Sequence, residues 1–157
     1  MTGGEKTPAL RVLFVCIENS NRSQMAEAFA HQIGGGRVEA FSAGSRPSGR
    51  VNPRAVEAMR EKGCDLTKHG SKALTDLPAV EFDAAVTMGC GDACPNVRAK
   101  VREDWSIPDP REMPPEEFRG VRDLIEAQVR SLLERLGGVE RYAPVSRTAP
   151  KSEERSP

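Results

Sequence analysis

Residues 10–33, "LRVLFVCIENSNRSQMAEAFAHQI", pass from an almost wholly apolar run, through a cysteine and a small polar loop, into an amphipathic segment. "LRVLFVC" is rich in β-branched and aromatic residues, the pattern of a strand covered on both faces of a parallel sheet, and it sets Cys16 at the carboxyl end. From Ser23 onward, Met25, Ala26, Phe29, Ala30 and Ile33 fall on one helical stripe, and glycines 34–36 end it. Strand, loop and helix in this order form the first unit of an α/β fold.

The same alternation continues outward. "RVEAFSAG" (37–44) reads as a second strand, and "SRPSG" (45–49) as a connection. "NPRAVEAMREKG" (52–63) carries an N-cap at Asn52, a proline at the first helical position and a closing glycine. "FDAAVTMG" (82–89) reads as a further buried strand and "DWSIP" (104–108) as a brief last one. In "PPEEFRGVRDLIEAQVRSLLERLGG" (114–138), Phe118, Val121, Leu124, Ile125, Val129, Leu132, Leu133 and Leu136 form the inward face of a long helix. Strands that alternate with helices predict a mostly parallel, doubly wound α/β sheet.

At 157 residues the chain is expected to fold as one domain over residues 10–142, after a flexible N-terminus (1–9) and before a disordered tail (143–157). That tail, "APVSRTAPKSEERSP", lacks apolar periodicity and is rich in proline, serine and charge. Lysine plus arginine, 23, balance aspartate plus glutamate, 23, so no general field favours nucleic acid or an anionic membrane. With no apolar run of about eighteen residues, the expectation is a cytoplasmic protein. No exposed apolar stripe demands a partner, so the expected state is a monomer. Four cysteines, Cys16, Cys64, Cys90 and Cys94, in a chain too long to need disulfide staples point to catalytic, metal-binding or buried thiols.

In an open α/β sheet, ligands bind outside the carboxyl ends of the strands, where "CIENSNRS" stands. The backbone N–H groups of Ile17, Glu18, Asn19, Ser20 and Asn21, with Arg22 and Ser23 at the start of the helix, suit a tetrahedral oxyanion. Arg22 offers a planar, bidentate partner for two oxygens of such an anion. The same donors favour the thiolate of Cys16, the reactive form of the group, and Ser23 is placed to hydrogen-bond its sulfur. Asn19 suits the left-handed turn or a bond that holds the loop. The plainer alternative is a buried strand-end cysteine beside a solvated arginine, but the strand before and the helix after favour a site.

"CIENSNRSQMAEAFA" resembles the phosphate-binding loop of the low-molecular-weight protein tyrosine phosphatase superfamily, and "RSQMAE" resembles that of its arsenate reductase branch. The likeness runs from about residue 10 to residue 136, with "FSAGSRP", "VNPRAVEAM" and "VTMGCGDACP" following in the family's order. The resemblance implies a four-stranded parallel sheet flanked by helices, and a thiol-dependent reductase that uses thioredoxin or a similar dithiol, with no bound cofactor and no metal. It implies that Cys16 attacks arsenate, that Cys90 attacks Cys16, and that Cys94 resolves the result into a Cys90–Cys94 disulfide. In the better-known reductases six residues separate the last two cysteines, whereas here there are three. An incidental cysteine pair and a metal site are the other readings of Cys90 and Cys94; zinc favours a closer spacing and further ligands.

The family's general acid, an aspartate before a proline, corresponds to Asp109 before Pro110 in "WSIPDP". The tyrosines that follow in the phosphatases are missing from "DPREM", which favours a small inorganic substrate over a phosphopeptide. A phosphatase acting on phosphotyrosine or another phosphomonoester is the nearest alternative, and an oxyanion or redox sensor a further one. Relatives that bind potassium hold it with residues corresponding to Asn19, Glu27, Ser42 and an aspartate at the position of Lys72. A lysine there can take the ion's place, which predicts no potassium dependence. Glu18 stands where the family usually has glycine and is expected to point outward, away from the anion. Cys64 is expected to pack as a small hydrophobe, and His69 to bond the Asp109 region, bond a neighbouring loop or serve structure.

Overall fold

The computed structural model describes residues 9–89 and 97–137. Strand β1 (Leu10–Cys16) leads into helix α1 (Arg22–Gly34), strand β2 (Val38–Gly44), helix α2 (Pro53–Arg60), strand β3 (Phe82–Thr87), strand β4 (Ala99–Asp104) and helix α3 (Pro115–Leu136). The four strands form one parallel sheet in the order β2-β1-β3-β4. β1 lies inside it, paired with β2 from Leu10↔Val38 to Cys16↔Gly44 and with β3 from Val12↔Ala84 to Val15↔Thr87. The chain leaves β1 for one neighbour and later returns to its other side, so the carboxyl end of β1 is a switch point of the sheet.

The pleat of β1 sends successive side chains to opposite faces. Val12, Phe14 and Cys16 enter a core shared with Met25 and Phe29 of α1, Met59 of α2, and Ile125, Val129, Leu132 and Leu133 of α3, all buried. Leu13 and Val15 pack with Phe82 and Ala85, and Leu74, Leu77, Val80 and Val97 close that smaller cluster. The expected helices form where their signals stand. Asn52 Oδ1 accepts the Arg54 N–H at the start of α2, and Gly137 ends α3 in the left-handed conformation.

Two expectations are corrected. The last strand is Ala99–Asp104, and residues after Asp104 in "DWSIP" run on as irregular chain. As an edge strand, "AKVRED" has one large apolar residue, Val101, which is itself exposed, so it carries no hydrophobic pattern to read; its charges suit an edge that must not pair further. In α3, Leu124 faces solvent and Arg122 is buried instead, its guanidinium reaching the Ala58 carbonyl at 2.9 Å and Glu61 at 2.7 Å. Helical spacing places both residues near the edge of the stripe, and the Glu61 carboxylate draws in the arginine. The family of helices described here contains none long and apolar enough to cross a membrane.

Candidate active site

Residues 17–21 link β1 to α1 and are gripped from outside. The Ile17 carbonyl accepts the Arg46 N–H at 2.7 Å, the Glu18 carbonyl accepts the Ser48 N–H and the Ser71 hydroxyl, and the Ser20 carbonyl accepts the Asn52 N–H. In a trans peptide unit the N–H points opposite to the C=O, so the N–H ends of these units turn away from those donors. Asn19 adopts φ 52°, the left-handed conformation anticipated for it. Its Oδ1 accepts the Lys72 N–H at 2.7 Å and the Gln24 amide at 2.9 Å, which fixes the turn through a residue 53 positions away.

Two glycines permit this packing. A Cβ at Gly44 would stand 2.6 Å from the Ile17 carbonyl oxygen and 2.9 Å from the Asn19 nitrogen, so only glycine lets β2 end directly beneath the loop. At Gly89, φ is +84° and a Cβ would meet Arg22 Nη1 at 2.7 Å.

Cys16, 3% exposed, lies at the floor of the site with its Sγ 2.9 Å from Ser23 Oγ. Asn19 Nδ2 donates to that same oxygen at 2.7 Å. A thiolate can only accept, so with Cys16 ionised the Ser23 hydroxyl is the donor of this contact while one of its lone pairs takes the Asn19 amide. Arg22 is buried; its Nη1 donates to the Ile107 carbonyl at 2.9 Å and its Nη2 lies 4.0 Å from Asp109 Oδ2. Asn21, the N-cap of α1, makes no side-chain cap, and its Oδ1 is buried without a partner among the described residues.

These groups surround a pocket of about 90 Å³ lined by Cys16, Ile17, Glu18, Ser20, Asn21, Arg22, Asp109 and Arg111. Since a buried water needs on the order of 10–15 Å³, the pocket has room for a four-oxygen anion. Cys16 and Arg22 of the loop and Asp109, inferred from a segment some ninety residues away, therefore meet at one place. Cys90 and Cys94 lie outside the described residues.

The expectation for Glu18 is corrected. Its carboxylate does not turn away from the site but lines it, paired with Arg111 Nη1 at 3.0 Å. That partner removes the repulsion on which the expectation rested. Lys72 occupies the anticipated niche: its Nζ lies 3.5 Å from Ser42 Oγ, 3.8 Å from Glu27 Oε1 and 2.9 Å from the Gly70 carbonyl. Burial works to raise the Glu27 pKa, but bonds from His31 and Ser42 and the charges of Lys72 and His69 outweigh it and leave it lowered. His69 turns to a neighbouring helix, with Nδ1 3.0 Å from Gln24 Oε1, and not to Asp109. Burial pushes its pKa down. Cys64 is buried as expected, and that burial pushes its thiol pKa up.

Sequence reading overlooked three residues. Gln24, fully buried, donates to the Asn19 and Gly70 carbonyls and so ties the loop to the segment before Lys72. Arg54 donates to the carbonyls of Arg111 and Met113 and stacks 4.9 Å from the Phe118 centroid, pinning the backbone that follows Asp109. Arg111 faces the pocket. Each is a long polar side chain acting across distant sequence; only Arg111, next to the Asp-Pro pair, had a local signal.

The fold and site have recognisable relatives. A family model described as low molecular weight phosphotyrosine protein phosphatase matches residues 11–141. The chain is 36% identical over 129 residues to the glutaredoxin arsenate reductase of Synechocystis sp., covering 80% of this chain and 98% of that one. A solved arsenate reductase in the phosphate binding state aligns with TM-score 0.74 at 36% identity, over 80% of this chain and 98% of the other. A thioredoxin-dependent arsenate reductase from Corynebacterium glutamicum aligns with TM-score 0.70 at 34% identity, over 86% of this chain and 65% of the other. With a cysteine, an arginine and an aspartate converging on one oxyanion-sized pocket, the chain belongs to the low-molecular-weight phosphotyrosine protein phosphatase family and groups with its arsenate reductases.

Proposed function

We propose that the protein reduces arsenate to arsenite, in the service of arsenic detoxification, by a relay through Cys16, Cys90 and Cys94. The observation that carries the first half is the Cys16–Ser23 contact at the floor of a pocket shared with Arg22 and Asp109. The Cys16 thiolate attacks arsenic while the loop N–H groups and Arg22 hold the oxygens. Asp109 donates a proton to the departing oxygen, which leaves as water. Asn21 Oδ1 is an acceptor suited to the proton that arsenate itself carries near neutral pH.

The second half needs two electrons. Cys90 attacks the Cys16 sulfur, the S–As bond breaks, and its electron pair stays on arsenic, giving As(III) and a Cys16–Cys90 disulfide. Cys94 then attacks Cys90, which frees Cys16 and leaves Cys90–Cys94 for an external dithiol to reduce. Thioredoxin is the favoured donor, as in the C. glutamicum relative, and glutaredoxin, as in the Synechocystis relative, is the other. We place this chemistry in a cytoplasmic monomer whose single domain spans residues 10–142.

Arsenate-dependent NADPH oxidation, coupled through thioredoxin and thioredoxin reductase or through glutaredoxin with glutathione and its reductase, tests the assignment. Wild type turns over with at least one system, and Cys90→Ser and Cys94→Ser each abolish turnover. Phosphomonoester hydrolysis at full rate in both serine variants, with no arsenate reduction by wild type, would establish the phosphatase alternative.

A further inference from the structure

The Glu18–Arg111 pair joins two segments that no backbone hydrogen bond connects among the described residues. Glu18 belongs to the anion loop, Arg111 to the turn that bears Asp109, and both line the pocket. We propose that Arg111 is a substrate-positioning and specificity-determining residue, a second guanidinium for the oxyanion, whose charge Glu18 balances and whose place it fixes. This rests on the oxyanion chemistry assigned to the pocket above.

Charge at the site makes the case. Cys16 as thiolate, Glu18 and the incoming anion bring negative charge into one pocket, and Arg22 is the only other cation among the described residues that line it. Arg22 already serves the Ile107 carbonyl and lies 4.0 Å from Asp109. A carboxylate on the loop is tolerable for anion binding only with a compensating cation, and Arg111 supplies it at 3.0 Å.

The geometry also separates the side chain of Arg111 from its backbone. The Arg111 N–H donates to Asp109 Oδ1 at 3.1 Å, and its carbonyl accepts from Arg54 Nη1 at 2.7 Å. Asp109 is thus held by the main chain of residue 111 and by Arg54, whatever side chain residue 111 carries. The guanidinium is left to face Glu18 and the anion.

Binding of inorganic phosphate, read as protection of Cys16 from alkylation by iodoacetamide, tests this without any reductant, so its outcome does not depend on the relay. A unit charge near a dianion in a half-exposed pocket changes affinity by about tenfold. Arg111→Gln, which leaves Glu18 unbalanced, is expected to weaken phosphate about tenfold, and Glu18→Gln to tighten it by a similar factor. The double variant returns to within about threefold of wild type, and Arg111→Lys keeps most of the affinity. A rim ion pair serving structure alone would shift the melting temperature of these variants and leave their phosphate affinities within about twofold of wild type. That result, or a double variant as weak as Arg111→Gln, overturns the proposal. Failure of phosphate to protect Cys16 in wild type would overturn the reading of the pocket itself.

Discussion

Replacing Ser23 with alanine removes the hydroxyl that donates to Cys16 when the cysteine is ionised. Asn19 Nδ2 donates to Ser23 Oγ at 2.7 Å, which leaves the hydroxyl proton free for Cys16 Sγ at 2.9 Å. Ser23 is fully buried. A hydrogen bond to a charged group is worth about 1.5–3 kcal/mol, and at about 1.4 kcal/mol per factor of ten its loss should disfavour the thiolate about 10- to 100-fold; the less stabilised thiolate is the stronger nucleophile, which leaves alkylation about 3- to 10-fold slower. The cost falls on the chemistry of Cys16, not only on stability, though the orphaned Asn19 amide should also cost about 1–3 kcal/mol of folding free energy. Alkylation by iodoacetamide at neutral pH, followed peptide by peptide, measures the effect. Cys64, buried with its thiol pKa pushed up, serves as a slow internal reference. Alkylation of Cys16 within twofold of wild type in Ser23→Ala would refute the role of Ser23 as a donor to the thiolate.

Other perturbations follow from the same geometry. Gly44→Ala drives a Cβ to 2.6 Å from the Ile17 carbonyl, a backbone atom that cannot rotate aside; it should cost about 1–3 kcal/mol, seen as a drop in melting temperature, and weaken phosphate binding. Lys72, with its ammonium beside Glu27 and Ser42, should make kcat/KM indifferent to potassium over sodium, whereas Lys72→Asp should create a potassium requirement; a clear potassium activation of wild type would contradict this. Stability should also respond to pH through two opposed histidines. His69 is held below its ordinary value of 6.5, so its contribution is present above that pH and is lost as pH falls; His31, raised chiefly by its bond to Glu27, contributes below 6.5 and loses that contribution as pH rises through its raised value. On acidification from about pH 7.5 to about 5.5, His69→Gln should therefore lose less melting temperature than wild type and His31→Gln more.

The parts of this molecule that were legible in the sequence are those encoded by neighbours. The β1 run, the stripe on α1 and the Asn52-Pro53 start of α2 are local patterns, and each formed at its place. β4 was not legible, because an edge strand with polar residues on both sides has no period of its own. In the site, Cys16, Arg22 and Ser23 share one loop and could be read together, and Asp109 was marked by its proline. The role of Glu18 could not be read, since its sign of action depends on Arg111, 93 positions away. Arg54 and Gln24 were equally hidden, as the Arg111, Met113 and Gly70 carbonyls they hold are brought near only by folding.

A single turnover without external reductant tests the central claim most directly. Fully reduced protein, mixed with excess arsenate, should yield one arsenite per chain while Cys90 and Cys94 become a disulfide and Cys16 returns as a free thiol. Two electrons from two thiols balance the reduction of one arsenic. Formation of no arsenite, with all three cysteines still reduced and phosphomonoester hydrolysis proceeding in the same preparation, would contradict it.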